Sequence, residues 1–374
     1  MQKNFQGYAV TGTHRCLNLV WLIRPKNIPD ASRWSDFKVI EYPSKKWEET
    51  DVEIAITHCG LESVCGSDIH TLTSGWGSFE TPLVVGHEIA GTAVRVGSKV
   101  KSGIKVGDRV GVGAQIGSCY TCKYCKNDNE NYCPKSIETY NSEYPDGVRT
   151  MGGYSTGIIA HEQYVFPIPD GITSAEACSM MCGGLTVYSP LRRNCAGPGK
   201  KVGIVGIGGL GHYAILFAKG LGAEVYAFTH SHSKDGDIEK MGADHVVYTE
   251  EKGFQEKYAM SLDLIVSTRD VSENFPVAEY LSMLDVHGKF ITVGLPDETL
   301  PGASAGVFAS NGCFFGGSKL GSKKEAVEML NLAAEKGIKP WIEELPMKEV
   351  KKAVEGVKGG KVRYRYVLKQ DIAV

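Results

Sequence analysis

Gly206-Ile207-Gly208-Gly209-Leu210-Gly211 directly follows the apolar run Lys201-Val202-Gly203-Ile204-Val205 and opens a stretch of helical periodicity that reaches about Leu221. A buried strand that turns through glycines into a helix commits the chain to a strand–helix–strand layer. Val225–Phe228, Val246–Tyr248, Leu264–Val266, Lys289–Val293 and Cys313–Gly316 follow as further strands between helical stretches. This alternation predicts an α/β doubly wound parallel sheet. Glycines let a backbone approach a ligand closely, and a helix N-terminus offers free N–H groups to a pyrophosphate. A dinucleotide site at Gly206, Gly208, Gly209, Leu210 and Gly211 is therefore expected; a glycine turn kept only for tight helix–sheet packing is the alternative.

The second strand should decide which dinucleotide. An NAD site places Asp or Glu at its end, on the ribose hydroxyls. Here the strand runs into Thr229-His230-Ser231-His232-Ser233-Lys234, and Glu224 precedes it at the wrong end of the sheet. Hydroxyls, histidines and a lysine suit a 2′-phosphate, so Thr229, His230, Ser231 and Lys234 are expected to favour NADP(H). A solvated polar turn would read the same way.

At 374 residues the chain has room for two or three domains. Lys and Arg (41) nearly cancel Asp and Glu (43), leaving a net charge of -2 and no global field to attract nucleic acid or an anionic membrane. The longest apolar run, Cys16 to Ile23 interrupted by Asn18, is far below the ~18 residues of a membrane span. Residues 1–29 lack acidic side chains and carry Lys3, Arg15, Arg24 and Lys26, the composition of an organelle transit peptide, but Phe5–Val10 already reads as a strand. Neither a secretory signal nor a C-terminal address stands out, which makes the cytoplasm the expected location.

Four of eleven cysteines crowd into Cys119, Cys122, Cys125 and Cys133. Four thiolates close a tetrahedral zinc shell, so this loop should hold a structural zinc; an iron–sulfur site or a redox switch is the alternative. A second set is dispersed: Cys65 in Cys65-Gly66-Ser67-Asp68-Ile69-His70, His87 in Val84-Val85-Gly86-His87-Glu88, and Cys182 in Cys182-Gly183-Gly184-Leu185-Thr186. Two thiolates and an imidazole leave a fourth position open, as a catalytic zinc needs. Glu88 either supports His87 or ligates the ion itself when water leaves, and Asp68 is a candidate partner of the ligands; a plain salt bridge is open for both. Cys16, Cys59, Cys178, Cys195 and Cys313 read as packing residues.

From Tyr8 to Pro169 the segments are short and β-rich: Val52–Thr57, Ala90–Val96, Arg109–Val112 and Tyr164–Ile168. An apolar helix is expected from Ser174 through Leu191, and the tail adds a helix at Lys323–Lys336 and a strand at Arg363–Leu368. The expected division is a β-rich unit over 1–173 carrying both metal sets, a nucleotide-binding unit over 174–320, and a return to the first unit over 321–374.

With both metal sets and the glycine loop, the chain resembles the zinc-containing medium-chain alcohol dehydrogenases, in the cinnamyl alcohol dehydrogenase-like branch of plants, yeasts and fungi. The resemblance covers nearly all of Trp34 to Val367 and includes Cys182-Gly183-Gly184-Leu185-Thr186-Val187-Tyr188 and Val362-Arg363-Tyr364-Arg365-Tyr366. It implies a GroES-like catalytic domain beside a Rossmann domain, two zinc ions per chain, and NADPH-linked interconversion of aldehydes and primary alcohols, aromatic or aliphatic, by a cytoplasmic homodimer. It also implies that Trp76 walls the substrate pocket, that Arg363 approaches the pyrophosphate, and that Ser67 and His70 relay a proton between substrate and solvent. The rivals are an NAD-dependent polyol or secondary alcohol dehydrogenase and a non-catalytic zinc and nucleotide binding relative. The chain departs from the family pattern in the segment from Gly12 to about Ser32 and in Leu61-Glu62-Ser63, either translated intron remnants or errors of the gene model, or lineage-specific loops.

Overall fold

Strand Asp51–Leu61 organises the first of two compact units, Met1–Cys182 with Trp341–Val374. In this computed structural model, residues 3–11, 13–14, 28–29, 33–61, 67–75, 77–296 and 298–372 are described. One edge of Asp51–Leu61 pairs antiparallel with Glu88–Val96; the other is shared by Gly157–His161 along its first half and by Arg365–Lys369 along its second. Arg109–Val112, Phe166–Pro167 and Ile342–Pro346 complete a seven-stranded sheet. A second sheet joins Phe37–Pro43, Asn4–Val10 and Leu83–Val84. Val52, Ile54, Ile89, Val110, Val112 and Ile158 form the centre of this unit's apolar core. The burial of β-branched side chains here is what fixes strand register, since a one-residue slip would turn them outward.

Two expected elements form differently. The strand expected at Tyr164–Ile168 is reduced to Phe166–Pro167, because Glu162–Tyr164 coils into a 3₁₀ turn capped by the His161 ring, which accepts the Gln163 N–H at 3.1 Å. The helix expected from Ser174 to Leu191 is divided into Ser174–Ser179, a π-helical turn Met180–Gly184 and Leu185–Arg193. The Gly183-Gly184 pair supplies little helix propensity, and π turns of this kind recur at functional positions. Cys182 sits in the middle of it.

The second unit is Gly183–Pro340. Its six parallel strands are Lys201–Val205, Glu224–Thr229, His245–Tyr248, Leu262–Ser267, Leu284–Thr292 and Phe314–Gly317. Numbered in chain order they lie in the sheet as 3-2-1-4-5-6, the doubly wound arrangement in which strand order reverses beside the first strand. That reversal opens a crevice at the carboxyl end of Lys201–Val205, where the glycine loop begins. Among the cysteines read as packing residues, Cys59, Cys178 and Cys313 are buried; Cys195 is exposed, at a left-handed φ of 59° just past the helix Leu185–Arg193. The helix end turns it out into solvent. Cys16 lies outside the described residues. No helix among the described residues is long and apolar enough to cross a membrane.

Candidate active site

Cys119, Cys122, Cys125 and Cys133 converge within one loop, their sulfurs all within 4.8 Å of one another. The Cys119–Cys125, Cys122–Cys125, Cys122–Cys133 and Cys119–Cys133 pairs stand at 3.9, 3.5, 3.9 and 3.6 Å. A tetrahedron with about 2.3 Å from zinc to sulfur has edges of about 3.8 Å, whereas a disulfide would need about 2.05 Å. The spacing fits a four-thiolate zinc shell. Backbone N–H groups of Thr121 and Cys122 lower the Cys119 thiol to about 6, while burial and the neighbouring thiols push Cys125 up to about 12. Thiols so arranged shed their protons together only around a cation.

His87 precedes the strand Glu88–Val96 and is buried. Its Nδ1 meets Asp68 Oδ1 at 2.9 Å, and the same oxygen accepts the Gly86 N–H at 3.3 Å. Asp68 Oδ2 accepts the Tyr154 hydroxyl at 2.8 Å, and Tyr140 also donates to this carboxylate. Burial works to raise Asp68, yet His87, Tyr140 and Tyr154 hold it below the usual carboxylate range. Burial likewise works against a charged His87, but the negative charges of Cys182 and Asp68 overcome it and hold the imidazole well above the usual histidine range. The His87 Nε2 is buried and faces the Cys182 thiol. A thiol and a carboxylate thus flank the two nitrogens of one buried imidazole, the arrangement in which a carboxylate orients a histidine ligand for a divalent metal. Glu88 is engaged elsewhere: Arg365 donates to both of its carboxylate oxygens at 2.5 Å, and both side chains are fully enclosed.

In the second unit, Gly206 has φ 86°, and a Cβ at Gly211 would collide with the Gly206 carbonyl, so the turn into the helix Gly209–Gly220 requires glycine at both positions. The Thr268 hydroxyl secures the turn by donating to the Gly206 carbonyl at 2.7 Å. The cradle left above the helix N-terminus suits a pyrophosphate. Thr229 ends the second strand, with its hydroxyl on the Ser231 carbonyl; the Ser231 and Ser233 hydroxyls are 2.9 Å apart, and His230 is exposed. Lys234 Nζ reaches back 2.5 Å to the Ile207 carbonyl inside the glycine loop. Asp235, the first acid after the strand, is bound by the Tyr248 hydroxyl and the His232 ring, which keep it below the usual carboxylate range. Glu224 stands at the opposite end of its strand, on His245 and Tyr226.

Residues 48–170 match the alcohol dehydrogenase GroES-like domain and residues 209–335 the zinc-binding dehydrogenase family. The NADP-dependent alcohol dehydrogenase 6 of Saccharomyces cerevisiae is 46% identical over 345 residues, 90% of this chain and 93% of that one. The chain belongs to the zinc-dependent medium-chain alcohol dehydrogenases, in the cinnamyl alcohol dehydrogenase-like branch. A cinnamyl alcohol dehydrogenase from Sorghum bicolor superposes with a TM-score of 0.86 at 30% identity, over 100% of both chains. The Helicobacter pylori cinnamyl alcohol dehydrogenase complexed with NADP(H) gives 0.83 at 32% identity, over 99% of both. This alcohol dehydrogenase is accordingly an oxidoreductase that interconverts aldehydes and alcohols.

Of the expected site residues of this alcohol dehydrogenase, Cys65 and Trp76 lie outside the described residues, as do residues 12, 15–27 and 30–32 of the first unusual segment and residues 62–63 of the second. Ser67 and His70 fall one turn apart on the helix Ser67–Leu72, both half-buried, and Asp68 between them is buried. Arg363 is exposed in the first unit, two residues before the strand Arg365–Lys369. Tyr140 and Tyr154 were absent from the sequence expectation. Nothing local marks them, since Tyr154 acts on a carboxylate 86 residues away.

Proposed function

We propose that this dehydrogenase interconverts aldehydes, aromatic and aliphatic, and their primary alcohols with NADP(H), using two zinc ions per chain. The observation that carries the reading is the buried His87, its Nδ1 fixed by Asp68 and its other ring nitrogen turned to the Cys182 thiol. Cys65, His87 and Cys182 would hold the catalytic ion, with Glu88 adjacent, and Cys119, Cys122, Cys125 and Cys133 the structural one. Zinc at the first site supplies a Lewis acid for the carbonyl oxygen, and NADP(H) supplies or takes the hydride. The first unit would then be the catalytic domain, the second the cofactor domain. Arg363 and the glycine loop would hold the pyrophosphate, and Trp76 would wall the substrate pocket. An exposed edge strand, Phe314–Gly317, with Phe314 56% accessible, supports a homodimer.

NADPH absorbance followed against a panel of aldehydes, with metal counted in the same preparation, tests the whole reading; equal efficiency with NADH would overturn the cofactor assignment. Lys234→Ala refines it. A charge-assisted contact to phosphate is worth about 1.5–3 kcal/mol, so the Kd for NADPH should rise roughly 10- to 150-fold. Because Lys234 also tethers the Ile207 carbonyl, NADH binding should weaken too, by only a few-fold. Equal weakening of both cofactors would assign Lys234 to the loop alone.

Ser67 and His70 would carry the proton between the substrate oxygen and solvent, Ser67 as the inner member. Ser67→Ala should lower kcat/KM by about 10²–10⁴-fold and His70→Ala by less, because water can replace the outer group. Wild-type rates in these variants would remove the relay.

A further inference from the structure

Tyr154 is held at its backbone from both sides. Its N–H donates to the Val85 carbonyl at 3.1 Å, its carbonyl accepts the Tyr8 N–H at 2.8 Å, and the preceding Gly153 N–H donates to the Gly86 carbonyl at 2.7 Å. The side chain is completely buried. Its ring lies so close to Gly86 that a Cβ there would stand 2.6 Å from it, and Gly86 has φ 99°, so glycine is needed twice over. The ring's path ends at Asp68 Oδ2, 2.8 Å from the hydroxyl. The other carboxylate oxygen takes the Gly86 N–H and faces His87 Nδ1.

We propose that Tyr154 is a positioning residue for the metal site. By occupying Asp68 Oδ2 it stops the carboxylate from rotating, so Oδ1 stays on His87 Nδ1. A neutral imidazole carries one N–H, and fixing it at Nδ1 leaves the lone pair on Nε2, the nitrogen that must ligate. Without the hydroxyl, Oδ2 is a buried acceptor that has lost its 2.8 Å donor, and the carboxylate, held on that side by Tyr140 alone, gains freedom about χ2. The proposal rests on the assignment of His87 and Cys182 as metal ligands given above.

The test uses the purified holoenzyme, with the ion at the His87 site exchanged for Co²⁺ and release of each metal into a chelator timed. Tyr154→Phe should load two ions and keep its thermal midpoint within a few degrees. It should lose the His87-site ion roughly 10- to 100-fold faster, the range typical of removing a group that orients a ligand. The visible Co²⁺ bands should shift, and release from the four-cysteine loop should not change. In an Asp68→Ala background Tyr154→Phe should add less than about twofold, because the two act in series. Tyr42→Phe, which removes another buried hydroxyl of the same unit outside this network, should release both ions at wild-type rates. Should Tyr154→Phe fail to fold, p-aminophenylalanine at position 154, a weaker donor of similar size, should give an intermediate release rate. A wild type holding only the cysteine-loop ion would overturn the ligand assignment and this inference with it. Two ions in the wild type, with release from either 154 variant at the wild-type rate, would overturn the role of Tyr154 alone.

Discussion

Cys133→Ser should lower the thermal midpoint by roughly 6–16 °C and remove one zinc per chain while sparing the chemistry of the molecules that remain folded. Zinc bound by four thiolates contributes about 10–16 kcal/mol of apparent binding energy in small domains, and because the site is absent from the unfolded chain that energy is folding energy. Taking one ligand of four as about a quarter gives about 3–4 kcal/mol, and a domain of this size loses about 2–4 °C per kcal/mol. The loop has little else to hold it. Its regular structure is two single-turn 3₁₀ segments, Cys125–Asn127 and Glu130–Tyr132, and Tyr120, Tyr124 and Tyr132 are exposed. Cys133 is the buried member, its sulfur accepting N–H groups from Cys119 and Lys135 at 3.5 and 3.4 Å. Calorimetry with metal counting checks the expectation; an unchanged midpoint with two zinc ions retained would sink the structural assignment.

Features encoded within a short stretch were readable in the sequence. The glycine turn, the cysteine loop and the strand Lys201–Val205 each depend on residues within about fifteen positions of one another, and the helix expected at Lys323–Lys336 forms there, closed at its start by a capping box of Ser322 and Glu325. What the sequence concealed is long-range. Asp68 and Glu88 were open between a metal role and a salt bridge, and spacing could not show that they are held by Tyr154 and Arg365, the latter 277 residues from Glu88. The π turn was equally hidden: Met180 to Gly184 reads as continuous helix until the flanking helices pack. Edge positions were misjudged for a related reason, since Cys195 is apolar enough for a core and only the helix end at Arg193 puts it in solvent.

Cys182→Ser should leave a folded protein whose kcat/KM has fallen by more than about 10⁴-fold. Serine nearly matches cysteine in size, so the buried π turn that carries residue 182 can form with either side chain. What the substitution removes is the thiolate, one of the three side chains that would hold the catalytic ion. A bound zinc lowers the pKa of an attached water from about 15.7 to about 7, a shift of roughly nine units or ~12 kcal/mol at 1.36 kcal/mol per unit. Proton relays contribute only ~10²–10⁴-fold, about 3–5 kcal/mol. Loss of the metal should therefore exceed the loss of any relay member, and the order of damage should run Cys182→Ser, then Ser67→Ala, then His70→Ala. The thermal midpoint should stay within a few degrees of wild type and the chain should retain one zinc, the ion of the cysteine loop. Activity within tenfold of wild type, or a Cys182→Ser protein that keeps two tightly held zinc ions, would show that the open metal position lies elsewhere; a collapse in midpoint matching that of Cys133→Ser would show that the two sites do not divide into one for folding and one for chemistry.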